Sequence, residues 1–158
     1  MKIKALSLWQ PWASLVALGV KRYETRSWAT NYRGPLLICA AKGGLCTGAI
    51  LELIEKEPAF QKALELLLPP DHKNLIPYDY LWGMKWGCAL AIVELSICYE
   101  MPNNYLLEKI KDELPFGDFS AGRFAWKLEN VRAIKPFPVK GCQGLFEVEI
   151  PESFEREL

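Results

Sequence analysis

One histidine among 158 residues narrows the possible chemistry more than any other feature of this sequence. That residue, His72, lies in the loop Pro69-Pro70-Asp71-His72-Lys73. Metal sites with two or more imidazole ligands are thereby excluded. A Ser-His-Asp or Cys-His nucleophile would have to use His72, and nothing near it supports one. Paired cysteines are also missing. The five present (Cys39, Cys46, Cys88, Cys98, Cys142) contain no CxxC, and an odd number without a secretion signal argues against a disulfide framework. Neither a metal nor a cofactor is expected. Long apolar runs are absent: a stretch such as Cys88 to Val93 is far too short to span a bilayer. Met1 leads straight into a lysine-bearing alternating segment with no apolar leader, so the expected setting is soluble and cytoplasmic, away from membranes. No phosphate-binding P-loop is present, and Gly43-Gly44 is too short a signal to stand for one. The formal net charge is +0, which weakens the case for long duplex DNA. If chemistry occurs here, Lys, Glu, Asp, Arg and hydroxyl groups must carry it.

What is present is an ordinary globular composition, 51% hydrophobic and 24% charged, in a length that fits a single domain over residues 1–158. The neutral total hides an asymmetry. Lys2, Lys4, Lys21, Arg22, Arg26 and Arg33 face Glu24 alone before Pro35, whereas from Glu147 onward Glu147, Glu149, Glu152, Glu155 and Glu157 face Arg156 alone. A basic N-terminal portion attracts phosphates locally, although chance clustering on a solvated face gives the same pattern.

Weak alternation predicts a strand over Ile3 to Leu8, and Pro11 opens a short, nearly all-apolar helix that Gly19 stops. Lys21 to Trp28 and Leu36 to Ala41 read as strands. A helical insert is expected over about 45–80, with helices at Ala49 to Glu55 and from Pro58 to Leu68, then a proline-bearing loop to Tyr80. Cys88 to Tyr99 is the strongest strand, Asn103 to Leu114 reads as helix, and Phe124 to Ile134 and Gly144 to Ile150 are the last strands. Without regular βαβ alternation or repeats, the pattern predicts an α+β fold around a small, strongly bent mixed sheet or barrel.

The densest segment for function is Trp9 to Arg33. Glycine after the helix lets the chain reverse and deliver Lys21 to the next strand. Period-two alternation then sets Glu24, Arg26 and Trp28 on one face, with Thr25 opposite. A cation, a carboxylate, a guanidinium fork and an indole suit a planar, hydrogen-bonding ligand. The same residues would also serve as a cross-strand ion-pair set with aromatic core filler. A second candidate is Gly117 to Trp126, a glycine-bounded loop in which Ser120, Arg123 and Trp126 can reach a ligand. Its alternative is a structural hairpin whose Phe116, Phe119 and Phe124 cap the core. Trp82 and Trp86 read as lid or core residues rather than a stacking platform.

Three ordered segments carry a family resemblance. Gly19-Val20-Lys21-Arg22-Tyr23-Glu24-Thr25-Arg26 resembles the G-x-K-x-x-E-x-R signature of ASCH (activating signal cointegrator homology) domains. Leu6-Ser7-Leu8-Trp9-Gln10-Pro11-Trp12-Ala13 resembles that family's L-S-hydrophobic-x-Q-P-[WY]-A opening, and Phe116 to Trp126 is similar to a later segment of its longer bacterial members. The resemblance implies a PUA-like β-barrel with flanking helices, a cleft beside the first helix, and RNA or nucleotide binding. One branch hydrolyses the amide of N4-acetylcytidine using the motif lysine, a threonine at the position of Glu24 and a distant glutamate. Here Lys21 and Arg26 are kept, but Glu24 cannot attack as a hydroxyl does, and no motif marks the distant glutamate, for which Glu94, Glu100 and Glu129 are candidates.

The leading expectation is therefore a binder of single-stranded RNA or of a nucleoside or nucleotide. Its ligand residues would be Trp9, Gln10, Trp12, Arg26, Trp28, Ser120, Arg123 and Trp126. The alternatives are a small hydrolase of acylated nucleosides or RNA, using Lys21 and Glu24, and a peptide-binding interaction module.

Overall fold

The computed structural model describes residues 1–71 and 76–155, so His72 lies outside the described residues. One six-stranded sheet organises the chain, in the order β2-β5-β4-β3-β1-β6. Its strands are β1 (Lys2–Leu8), β2 (Tyr23–Arg26), β3 (Gly34–Ala40), β4 (Cys88–Glu100), β5 (Phe124–Pro138) and β6 (Leu145–Glu149). Only β1 and β3 pair in parallel; every other neighbouring pair is antiparallel. Three register shifts between β4 and β5 and one between β3 and β4 bend the two longest strands. The sheet curls into the half-barrel that its short, mixed strand pattern predicted.

The continuous apolar run of β3 follows from burial on both faces. Leu36, Ile38 and Ala40 enter the concave core with Leu6, Leu8, Val93, Leu95 and Trp126. Leu37 and Cys39 join Ile3, Ala5, Ile92 and Ile150 on the other face. Helix α1 (Trp12–Ala17) plugs the concave core with Ala13 and Val16. Gly19 ends it with φ +74, and the Val20 and Lys21 amides donate to the Leu15 carbonyl, both at 3.1 Å. Burial pushes the Cys39 thiol up to about 12, so this cysteine is packing material.

Helices α2 (Thr47–Lys56) and α3 (Pro58–Leu64) bury Ile50, Ile54, Phe60 and Leu64 against Leu15 and Phe116. The expected helix from Asn103 is shorter. The Asn103 side chain accepts from the Leu106 amide at 2.9 Å to start α4 (Asn104–Lys109), which ends before a short 3-10 turn at Leu114–Phe116. Strand β5 runs beyond its expected end, through Pro136 to Pro138. This is tolerated because β2 covers only Phe124 to Lys127, leaving the far half of β5 with no ladder on that side. A last short helix, α5 (Glu152–Glu155), was not anticipated from the sequence. Trp82 is 80% exposed and Trp86 40%, so neither belongs to the core. Among the described residues no helix is long and apolar enough to cross a membrane.

Candidate functional site

The site forms where the start of α1, strand β2 and the 117–120 loop meet. Strand β2 is shorter than the expected Lys21–Trp28 because both ends are held by other contacts. At its start Glu113 is buried, and its carboxylate accepts from the Arg22 and Tyr23 amides at 2.8 and 3.1 Å and from the Arg22 guanidinium at 2.5 Å. At its far end Arg26 donates through Nη2 to the Ser7 carbonyl at 3.1 Å, tying one edge of the half-barrel to the end of β1.

Lys21 is 1% exposed. Three oxygens surround its ammonium, one for each proton: Tyr23 O at 2.5 Å, Phe116 O at 3.0 Å and Glu24 Oε2 at 3.4 Å. Burial lowers its pKa below the ordinary lysine range, and the carboxylates of Glu24 and Glu113 oppose that shift. The other oxygen of Glu24 lies 3.1 Å from Arg26 Nε, an ionic contact without hydrogen-bond alignment. Glu24 thus sits between two cations, with its side chain 12% exposed at the cleft. Thr25, expected on the opposite face, is held at the same cleft: its Oγ1 accepts from the Asp118 amide at 3.1 Å.

Two adjoining hollows share Trp12, Glu24 and Thr25. One, of about 350 Å³, is bordered by Lys21 and the Phe116-to-Asp118 turn. The other, of about 390 Å³, is bordered by Trp9, Arg26, Trp28 and Arg123. Trp12 is braced from behind by Phe60, edge-on at 6.1 Å, and Phe60 is in turn edge-on to Phe116 at 5.0 Å. Trp9 is 54% exposed and packs over Gly44, where an added Cβ would fall 2.5 Å from the indole at φ +124. Glycine is needed there on both counts.

The expected ligand residues therefore divide. Trp9, Trp12, Arg26, Trp28 and Arg123 line the cleft. Gln10 is buried and fully engaged, its Oε1 accepting from the Ser14 amide at 3.1 Å and its Nε2 donating to the Lys85 carbonyl at 2.7 Å, so it fixes the start of α1. Trp126 is completely buried, edge-on beneath Trp28 at 4.7 Å, because its strand position faces the concave core. Ser120 lies outside both hollows and donates to Asp118 at 2.6 Å, which holds that carboxyl below the usual carboxylate range. Asp118 lies 3.4 Å from Arg123, whose Nη2 donates to the Thr25 carbonyl at 3.3 Å.

None of Glu94, Glu100 and Glu129 lines either hollow; Glu129 pairs with Lys127 at 2.6 Å. The distant glutamate that acts electrostatically on Lys21 is Glu113, which sequence reasoning missed. A lone glutamate before Leu114-Pro115 carries no pattern that marks it. Also missed were Lys42 and the 138–144 connection, which border a third and larger hollow beside Trp9 and Trp28. Among the described residues no group of three or more His, Cys, Asp or Glu side chains is placed to hold a metal ion.

The ASCH domain model matches residues 6–138, a span that contains all three motif segments. The chain is 31% identical over 146 residues to activating signal cointegrator 1 of Homo sapiens and 30% identical over 146 residues to that of Mus musculus. Each alignment covers 91% of this chain but 22% of the relative, so the chain corresponds to a minor part of those proteins. The chain belongs to the ASCH domain family, and its curled six-stranded sheet with flanking helices is the PUA-like fold.

Proposed function

We propose that this domain binds RNA, taking an unpaired base or a nucleoside into the cleft between α1, β2 and the 117–120 loop. The family's association with RNA binding supports this reading. The observation that carries it is the convergence of Trp12, Glu24, Arg26 and Trp28 on one hollow of about 390 Å³. Indoles supply stacking faces, the guanidinium supplies fixed donors, and the carboxylate accepts from an exocyclic amine. The volume falls in the range of small-ligand pockets. Lys21 is a positioning residue here: its ammonium holds Glu24 and the Phe116 carbonyl in place rather than facing outward.

Hydrolysis is the second reading. Its specific support is that Lys21 and Glu24 border the same hollow, 3.4 Å apart. Glu24 would take a proton from water while Lys21 faced the developing oxyanion. The burial of Lys21 among three oxygens ranks this reading below binding.

The test is a titration with nucleosides and single-stranded RNA, followed by intrinsic tryptophan fluorescence. Saturable quenching is expected, with affinity falling about tenfold in Trp12→Ala, the loss of one stacked base, and at least as far in Arg26→Ala. No response to any nucleoside or RNA would overturn the binding reading. Turnover of N4-acetylcytidine or RNA that disappears in Glu24→Gln would put hydrolysis first.

A further inference from the structure

Beside the base cleft lies a much larger hollow of about 1010 Å³, most of whose lining falls outside the motif segments. Ser7, Trp9, Arg26 and Trp28 line both spaces, so they form a shared wall rather than two separate sites. The remaining wall comes from the turn after β3, Gly87 before β4, and the β5–β6 connection over 138–144.

Its chemistry differs from that of the base cleft. Arg26, Lys42 and Lys140 are its charged residues, and no carboxylate lines it. Lys42 and Lys140 are exposed, and neither is ion-paired among the described residues. The stem of Lys42 lies across Gly87, where an added Cβ would be 2.7 Å from Cγ. Gly141 approaches Ser7 so closely that a Cβ would be 2.5 Å from its Oγ. That hydroxyl is buried under Gly141 and makes no hydrogen bond, so it packs the shared wall without facing the chamber. Two lysines without counter-charges beside stacking indoles, with no carboxylate in the lining, suit a sugar-phosphate backbone more than a second base.

We infer that the chamber holds the phosphodiester backbone next to the bound base, so that the ligand is a single strand of several nucleotides rather than a free nucleoside. This inference rests on the base-binding reading above and goes further by naming the substrate class and Lys42 and Lys140 as its contacts. The strand passes from the Trp12–Glu24 hollow over the wall formed by Trp9, Arg26 and Trp28 and continues toward Lys140.

The chamber carries its own reporter. Cys142 is exposed and lines it, whereas Cys46 is also exposed and does not line it. Iodoacetamide labelling read by mass spectrometry should therefore show Cys142 protected by a single-stranded RNA oligonucleotide, with Cys46 still reactive and nucleosides giving no protection. Lys42→Ala combined with Lys140→Ala should leave circular dichroism and nucleoside affinity unchanged. It should flatten the slope of log affinity against log salt for the oligonucleotide by about 1.4. Equal binding of oligonucleotide and nucleoside with Cys142 unprotected would overturn the chamber's role while leaving the base cleft intact. An unchanged salt slope in the double variant would do the same. Protection of Cys142 by polyglutamate but not by RNA would overturn it in favour of an acidic peptide. Failure of both nucleosides and RNA to bind at all would remove the base reading and this inference together.

Discussion

Lys21 and Glu113 show how the motif is held before any ligand arrives. A buried ammonium costs desolvation energy, and here three oxygens offset it, two of them main-chain carbonyls from separate segments. Glu113 plays the complementary part by accepting the amides of Arg22 and Tyr23, at the entry to β2, through one oxygen. Because burial depresses the folded-state pKa of Lys21, the unfolded chain binds more protons across the window from that lowered value up to the ordinary lysine range. The destabilising contribution of Lys21 is thus fully present below the window and is relieved as pH rises through it. Urea denaturation from neutral to alkaline pH should show the wild type gaining stability relative to Lys21→Met. A constant difference between the two would mean that the ammonium is not desolvated as the structure describes. This pair also marks the limit of sequence reading. Glu24 and Arg26 were legible from their strand spacing and Lys21 from the same motif, whereas Glu113 lies some ninety residues away and is joined to them only by the fold.

Helix α3 is the element whose contribution to the site is least evident from its sequence. It lies in the segment expected as a helical insert, yet its Phe60 is in edge contact with both Trp12 and Phe116, which border the cleft. Phe60→Ala should cost about 3–5 kcal/mol in urea denaturation, and RNA affinity should fall as well, although Phe60 touches no ligand. Destabilisation with unchanged affinity would show that α3 only covers the core. Other elements were plain from pattern alone. The β3 run reads as a buried strand because both faces are covered, and Gly19 reads as a helix stop because its positive φ closes α1. The length of β5 was not, since Pro136 and Pro138 read as loop until the missing β2 partner explains why no ladder amide is needed there. Gln10 and Trp126, expected among the ligand residues, turn inward for a related reason. Side-chain type shows what a residue can bind, but which face it turns inward depends on register and on the bulges that shift it.

Across the whole molecule, the curled sheet brings both edges of one surface to the same rim. Residues from β1, β2, the turn after β3 and the β5–β6 connection face a common cleft although they are scattered from Ser7 to Gly144. The exposed aromatics provide an internal control for this arrangement. Trp9, Trp12 and Trp28 line the cleft, whereas Trp82 and Trp86 do not. Two-dimensional NMR of the indole N–H resonances during titration with single-stranded RNA tests the placement most directly. The signals of Trp9, Trp12 and Trp28 should shift together and saturate while those of Trp82 and Trp86 stay in place. Saturable shifts confined to Trp82 and Trp86, with the cleft indoles unmoved, would contradict it.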